Sequence, residues 1–161
     1  MSAALVFSEH DYQLLDFGEG RRLERFGGYV LDRPCPAVAH LPRGRADCWS
    51  MADARFHRDS TLGGTWELLR QMPNRWTATC GPLRFELKRT DFGQVGMFPE
   101  QAVNWQWLYE RIRGLVRTER CPSRDAAHGT GTPGVDEAVR VLNLFAYTGG
   151  STLAAAAAGA E

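Results

Sequence analysis

The most regular alternation of apolar and charged side chains covers residues 83–88, Leu-Arg-Phe-Glu-Leu-Lys. A period of two predicts a half-buried strand, because successive side chains of a strand point to opposite faces. The preceding Gly81-Pro82 turn makes residues 75–80 the expected hairpin partner. Glycine-separated runs nearer the start, which predict an antiparallel meander, lie at 12–17, 21–26 and 29–31.

A helical period appears only later in the chain. Residues 102–120 carry apolar side chains at steps of three and four, which predicts an amphipathic helix with Pro99 suited to the first turn before it. Residues 121–134, rich in Pro, Ser, Gly and Thr, predict a flexible linker. Residues 36–65 predict irregular structure with at most a short helix at 49–56. The expected apolar face of the long helix consists of Trp105, Leu108, Ile112, Leu115 and Val116.

One stretch combines three kinds of pattern and carries the candidate chemistry. An apolar run at 141–145 leads into Gly149-Gly150, and the alanine-rich residues 154–158 follow at once. This order predicts a strand, a tight turn and a helix N-terminus, whose free N–H groups suit a carboxylate or phosphate. Spacing alone leaves the ligand open: the G-x-G-x-x-G and G-K-[ST] patterns are absent, and a small-residue helix packed on a sheet is an alternative interpretation.

The residue sequence of this stretch is more specific than that of a general glycine-rich loop. Leu142–Gly150, L-N-L-F-A-Y-T-G-G, resembles the first cofactor motif of class I S-adenosylmethionine-dependent methyltransferases, in particular the bacterial 23S rRNA methyltransferases that modify cytosine C5 or guanine N7. Upstream, Asp91–Trp105 is similar to the second hallmark of that group, G-[FYL]-F-L-D-Q-R, a segment that folds over the cofactor. Here Pro99-Glu100 replaces Leu-Asp and Asn104 lies near the position of the Arg, so the substrate is left open.

The resemblance implies a fold, a cofactor and a set of contacts. The fold class is α+β: a β-rich accessory domain at 1–80 that helps to position substrate, then residues 81–161 as the incomplete start of a Rossmann-like methyltransferase domain, with a hairpin, a helix and the first βα unit. The implied cofactor is S-adenosylmethionine. Residues expected to bind it are Phe98, Glu100, Gln101, Phe145, Ala146, Tyr147, Thr148, Gly149 and Gly150.

The same resemblance places the catalytic groups beyond residue 161, where the chain reaches the expected start of the second strand. No catalytic residue is therefore assigned, and none of the four cysteines is expected to be a nucleophile. The parent protein is expected to be a methyltransferase with RNA as its substrate, and this chain alone to be inactive. Two alternatives stay open: a truncated or non-enzymatic RNA- or protein-binding module, and a dehydrogenase-like nucleotide binder, which has too few phosphate-contacting glycines.

Composition and the absence of targeting segments bear on the expected partners and cellular location of the protein more than on its activity. Basic and acidic residues balance at 19 each, so charge gives RNA binding no support. The scattered cysteines lack C-x-x-C spacing, so no metal is expected, and without a signal peptide or an apolar run of membrane length the sequence predicts a cytoplasmic protein.

Several single residues can be interpreted either as structural or as functional. His40 and His57 have no carboxylate at catalytic spacing and are expected to be non-catalytic. A solvated face is favoured over RNA contact for Arg21, Arg22 and Arg25, which alternate with glutamates. Core packing is favoured over base stacking for Trp66 and Trp76.

Overall fold

The computed structural model describes residues 4–119, 138–144 and 146–161. They fall into two compact units, one formed by Val6–Pro99 and the other by Met1–Leu5 together with Glu100–Glu161. The predicted linker at 121–134 lies outside the described residues, as does Phe145. The division between the units, at Pro99/Glu100, differs from the predicted one after residue 80, because the 75–88 hairpin belongs with the N-terminal strands.

The N-terminal unit is built on a five-stranded mixed sheet whose strands lie in sequence order. Its first three strands form the predicted antiparallel meander. The third and fourth strands are parallel, and their connection carries two short 3-10 turns at Pro36–Val38 and Ala46–Met51. The strands are β1 Tyr12–Gly18, β2 Arg21–Phe26, β3 Tyr29–Pro34, β4 Ala54–Ser60 and β5 Gly63–Leu68.

The hairpin predicted at 75–88 is confirmed as β6, Arg75–Cys80, paired with β7, Leu83–Lys88. Its buried face includes Trp76, whose indole N–H donates to the carbonyl oxygen of Phe26 at 3.0 Å. The half-buried Trp66 packs against Phe56 with ring centroids 5.2 Å apart. Trp76 therefore packs into the interior of the unit, as the sequence predicts, whereas Trp66 packs on Phe56 and remains partly exposed.

The irregular structure expected at 36–65 is wrong in its second half, where β4 and β5 form a hairpin. Strand β4 reads A-R-F-H-R-D-S, and only Ala54 and Phe56 are buried, so no long alternation of apolar and polar residues marks it. The pairing also contradicts the isolation expected of His57: its Nε2 lies 2.8 Å from Oε2 of Glu67 on the neighbouring strand. Both side chains are exposed, so the contact is a surface pair.

The solvated face expected for Arg21, Arg22 and Arg25 is only partly present, because all three residues are half-buried. Strand β2 lies between β1 and β3 and has buried residues on both faces; Glu24 is one of them and accepts hydrogen bonds from buried Arg33. On the opposite face Arg21 donates to buried Asp32 at 2.5 Å. Alternating charges of this kind thus form internal ion pairs as well as a solvated surface.

Asp16 of β1 organises the turn before Trp49. Its carboxylate accepts from the backbone N–H of Gly44 at 3.2 Å, from that of Arg45 at 3.0 Å and from the Trp49 indole at 2.7 Å. Burial raises the pKa of Asp16, but these hydrogen bonds, the Trp49 bond foremost, outweigh it and hold the pKa below its ordinary value.

We expect Asp16→Asn to lower the free energy of unfolding at pH 7 by about 1–2 kcal/mol, because charge-assisted bonds are replaced by an amide that presents donors to donors. A depressed pKa contributes stability above the unfolded value of about 3.9 that is lost as pH falls through the folded value. The difference between wild type and Asp16→Asn in urea unfolding should therefore shrink below about pH 4. Exposed Asp47→Asn is the control, and a difference that stays constant with pH would contradict this account.

The second unit contains two helices, α1 at Ala102–Glu119 and α2 at Gly150–Ala158, both as predicted. The buried face of α1 is rotated from the expected one: it is formed by Trp105, Tyr109 and Ile112, whereas Leu115 is 45% exposed. Helix α2 ends in a left-handed Gly159 whose N–H donates to Ala156, as in common glycine C-caps.

The strand predicted at 141–145 is not formed as a regular strand over its described residues. The backbone at 139–141 does pair with Glu161, three residues after the end of α2: the N–H of Glu161 donates to the carbonyl of Val139 at 2.9 Å, and the N–H of Val141 donates to the carbonyl of Glu161 at 3.2 Å. These two bonds flank Arg140 in the pattern of a parallel bridge. Arg140 and Glu161, which lie on either side of α2 in the sequence, are thus aligned in parallel. The α+β fold class is confirmed, and no helix among the described residues has the length and apolarity to cross a membrane.

Candidate functional site

The turn before α2 has the backbone conformation that the glycine pair predicts. Gly149 adopts φ 86° and ψ 1°, in the left-handed region that side chains disfavour, and its N–H donates to the carbonyl of Ala146 at 2.7 Å. Tyr147 also has a positive φ, 43°. A Cβ added at Gly149 would meet no atom within 4 Å, so glycine is required there by backbone conformation and not by crowding from the protein.

Helix α2 begins at this turn without a side-chain cap. Gly149 is the N-cap and makes no side-chain cap hydrogen bond, and the first intrahelical bond runs from the N–H of Leu153 to the carbonyl oxygen of Gly149 at 2.8 Å. The N–H groups at 150–152 therefore point out of the helix along its positive end, where a carboxylate is favoured. Nearby, the Asn143 amide donates to the Thr152 hydroxyl at 3.0 Å and joins the preceding segment to the helix.

The second glycine is fixed by packing. Gly150 is buried, and a Cβ built on it would lie 2.3 Å from Cζ2 and 2.6 Å from Cε2 of Trp105, a tryptophan of α1 that is itself buried. The turn thus packs directly against the indole of Trp105 through Gly150. Trp105 is the last residue of the upstream motif, so the two motifs recognised in the sequence meet at this contact.

The other predicted site residues are only partly brought together. Glu100 and Gln101 lie on a 3-10 turn leading into α1, in the same unit as Ala146–Gly150, and both are exposed. The Gln101 side chain accepts from the Asn104 amide at 2.9 Å. Phe98 belongs to the N-terminal unit and Phe145 lies outside the described residues, so their roles stay predictions.

The described turn, Ala146–Gly150, carries no His, Cys, Asp, Glu or Lys side chain. Burial raises the pKa of the Cys80 thiol to about 11 and also raises that of Cys48, so neither is an activated thiolate. Across the part of the chain that the structure describes, no three His, Cys, Asp or Glu side chains are grouped to hold a metal ion. The arrangement can bind and orient a ligand.

Comparison with known proteins places this fold among methyltransferases. A SAM-dependent methyltransferase from Agrobacterium tumefaciens is 32% identical in sequence and superposes with a TM-score of 0.74, over 100% of this chain and 45% of its own length. A protein of Streptococcus mutans described as a SAM-dependent methyltransferase has 18% identity and a TM-score of 0.53, with 88% of this chain and 33% of that chain covered.

A further structure, of a protein described as a methyltransferase and complexed with S-adenosylhomocysteine, has 17% identity and a TM-score of 0.57, with 95% of this chain and 37% of that chain covered. No family model matches the sequence, and no curated protein is significantly similar to it. The chain thus spans less than half the length of these solved structures, whose shared fold is that of SAM-dependent methyltransferases.

Proposed function

We propose that this chain is the N-terminal part of a SAM-dependent methyltransferase and that its turn at Ala146–Gly150 holds the methionine end of the cofactor. The observation that carries the proposal is the left-handed Gly149 at an uncapped helix N-terminus, seated through Gly150 on Trp105. The 32% identity to a methyltransferase over the whole chain supports the same class.

The donor set of the turn fits this cofactor. A methionine carboxylate accepts hydrogen bonds, and the backbone N–H groups at 150–152 are donors at the positive end of α2. When bound, S-adenosylmethionine supplies an electrophilic sulfonium methyl group. The chain's own residues orient it: the turn and helix N-terminus bind one end, and Glu100 and Gln101 are the proposed polar contacts from the start of α1. Positioning of this kind supplies much of the rate in group transfer.

A Rossmann-like continuation of the sheet is part of the proposal. Leu142 and Leu144 are 83% and 75% exposed, although central strands of parallel sheets are covered on both faces. The parallel bridge at Arg140 and Glu161 is in register for a second strand after α2. We infer that the segment around 141–144 is the first, central strand of a parallel sheet in a longer protein, with the catalytic groups on later elements.

The proposed methyl acceptor is an RNA. This part of the proposal comes from the resemblance of Leu142–Gly150 and Asp91–Trp105 to rRNA methyltransferase motifs. Departures at Pro99, Glu100 and Asn104 leave the base and the position open.

Calorimetric titration with S-adenosylhomocysteine tests the site through Gly149. We expect saturable binding by the wild-type chain and at least tenfold weaker binding by Gly149→Val, because a β-branched residue in the left-handed region costs about 1–3 kcal/mol and displaces the turn. Gly149→Asn is the sharper variant. Asparagine tolerates this φ and fits the open space, so it should keep the fold and still obstruct the ligand.

Gly114→Ala is the matched control, because a Cβ there also meets no atom within 4 Å but lies in the middle of α1. It should bind the ligand as wild type does. Circular dichroism checks the fold of each variant. Equal affinities for wild type and a folded Gly149→Asn would refute a ligand at this turn.

A further inference from the structure

A cationic groove lies on the N-terminal unit, away from the turn at Ala146–Gly150 in sequence and in a different compact unit. Its volume is about 440 Å³, within the range of roughly 300–1,000 Å³ typical of small-ligand pockets. It is bounded by β5, by the open end of the β6–β7 hairpin and by the residues that follow. We call it the hairpin groove, and its lining residues are Gly64, Thr65, Trp66, Asn74, Arg75, Lys88, Arg89 and Asp91.

Charge in the hairpin groove is unlike that of the whole chain. The chain is neutral, yet the groove collects Arg75, Lys88 and Arg89 against the single carboxylate of Asp91. Arg75 and Lys88 are direct cross-strand partners, and like charges in that position repel each other. The exposed Glu86 carboxylate already contacts Arg75, so an incoming anion would be held mainly by Lys88 and Arg89.

The three cations are held in different ways. The guanidinium of Arg89 is fixed by donating to the Pro73 carbonyl at 3.0 Å and to Oδ1 of Asn74 at 3.1 Å. Arg75 is paired with the exposed Glu86. Lys88 is exposed, and its ammonium makes no hydrogen bond or ion pair with any residue that the structure describes. Lys88 is also the one lysine among 19 basic residues.

An aromatic wall completes the groove. The Trp66 indole N–H donates to the carbonyl of Thr90 at 2.9 Å, and its ring packs on Phe56, so the half-buried ring is held in place. Fixed aromatic rings beside cations are the combination that single-stranded nucleic acids use, with bases on the ring and phosphates on the charges. An acidic peptide would use the charges but does not place a flat aromatic base beside each anionic group, as a nucleotide chain does.

We propose that the hairpin groove binds the phosphate backbone of a single-stranded RNA segment, with Lys88 and Arg89 on the phosphates and Trp66 beside a base. The proposal deepens the proposed function, because it assigns to the N-terminal unit the contact with the RNA substrate. It does not depend on the cofactor turn, since RNA binding is measurable without methyl transfer.

Fluorescence anisotropy with a labelled single-stranded RNA of about 16 nucleotides tests the groove in the full chain. Lys88→Gln should weaken binding about fivefold and lower the slope of log K against log salt concentration by about 0.7 to 1, as expected for one lost phosphate contact. Arg84→Gln is the matched control: Arg84 is exposed on the same strand, four residues away and outside the groove lining. It should change neither quantity by more than a small fraction.

Modification of the one lysine gives a second readout. Acetylation of Lys88 by an amine-reactive reagent, followed by mass spectrometry, should slow when RNA is present and stay unchanged with polyglutamate at the same charge concentration. Equal effects of Lys88→Gln and Arg84→Gln, or protection by polyglutamate but not by RNA, would overturn the proposal. Titration of the same samples with S-adenosylhomocysteine separates the two sites. Cofactor binding without RNA binding would refute only the groove proposal. RNA binding without cofactor binding would support the groove and leave the chain as an RNA-binding module.

Discussion

Replacing Glu24 by alanine is expected to lower the free energy of unfolding by about 3–5 kcal/mol, because it leaves a buried guanidinium without its counter-charge. Glu24 Oε2 accepts from Nη2 of Arg33 at 2.6 Å and from its Nε at 3.0 Å, and Oε1 accepts from the Tyr12 hydroxyl at 3.1 Å. Burial lowers the pKa of Arg33, with Glu24 opposing that shift. Domains of this size are stable by about 5–15 kcal/mol, so much of the N-terminal unit's stability depends on this carboxylate.

The matched control is Glu86→Ala, which breaks another glutamate–arginine pair on the same unit. Glu86 and Arg75 are 60% and 62% exposed, and exposed pairs contribute about 0–1 kcal/mol. Urea unfolding followed by circular dichroism measures both variants. The double variant Glu24→Met with Arg33→Met should recover stability relative to Glu24→Ala, because removing both charges leaves neither unpaired. A cost of Glu24→Ala no larger than that of Glu86→Ala would contradict this account of the buried cluster.

The second large effect is expected at Gly150. Alanine there would place its Cβ 2.3 Å from the Trp105 ring, closer than non-bonded carbons approach, so the turn or the indole must move. Trp105 is buried and cannot rotate away cheaply, and overpacking of this kind costs about 1–3 kcal/mol. We expect a lower midpoint of thermal unfolding and loss of S-adenosylhomocysteine binding, because the ligand-facing N–H groups move with the turn.

A rescue experiment distinguishes this contact from general damage to the helix. Trp105→Leu removes the indole that the new methyl group meets, so the double variant Gly150→Ala with Trp105→Leu should be more stable than the sum of the single effects predicts, by about 0.5–3 kcal/mol. Gly114→Ala again serves as the control, since alanine in an open helical position stabilises by up to about 1 kcal/mol. Strict additivity of the two substitutions would show that Gly150 does not rest on Trp105.

Local pattern predicted the elements whose burial alternates cleanly. Strand β7 buries every second residue, and glycine turns separate the strands of the β1–β3 meander. The alternation of apolar residues and the positions of the glycines were therefore enough to predict these strands. The β4–β5 hairpin was missed because only the start of β4 is buried and its parallel pairing with β3 is long-range. No sequence period reports a pairing of that kind.

The ionic clusters were missed for a related reason. Glu24 and the arginines beside it have the pattern of a surface strand, but both faces of β2 are covered in the folded unit. Whether a charge is buried depends on what packs over the sheet, and a single strand does not show this.

The candidate site was predicted at the level of its backbone. The glycine pair predicted the position of the turn, and the alanine run predicted α2. The packing of the turn on Trp105 was not predicted, although Trp105 is part of the second motif, because Trp105 and Gly150 are far apart in sequence. The expected apolar face of α1 included Leu115 where Tyr109 is buried instead, because an aromatic residue with a polar tip packs inside as readily as an aliphatic one.

The central claim is that the turn at Ala146–Gly150 binds the cofactor, and amide NMR tests it most directly. Titration of the isotope-labelled chain with S-adenosylhomocysteine detects weak binding and reports on each backbone N–H separately. The account predicts saturable shifts of the amides from Ala146 to Leu153, with the hairpin amides at 75–88 unmoved. Saturable shifts confined to the N-terminal unit, or no shifts at a ligand concentration of several millimolar, would contradict it.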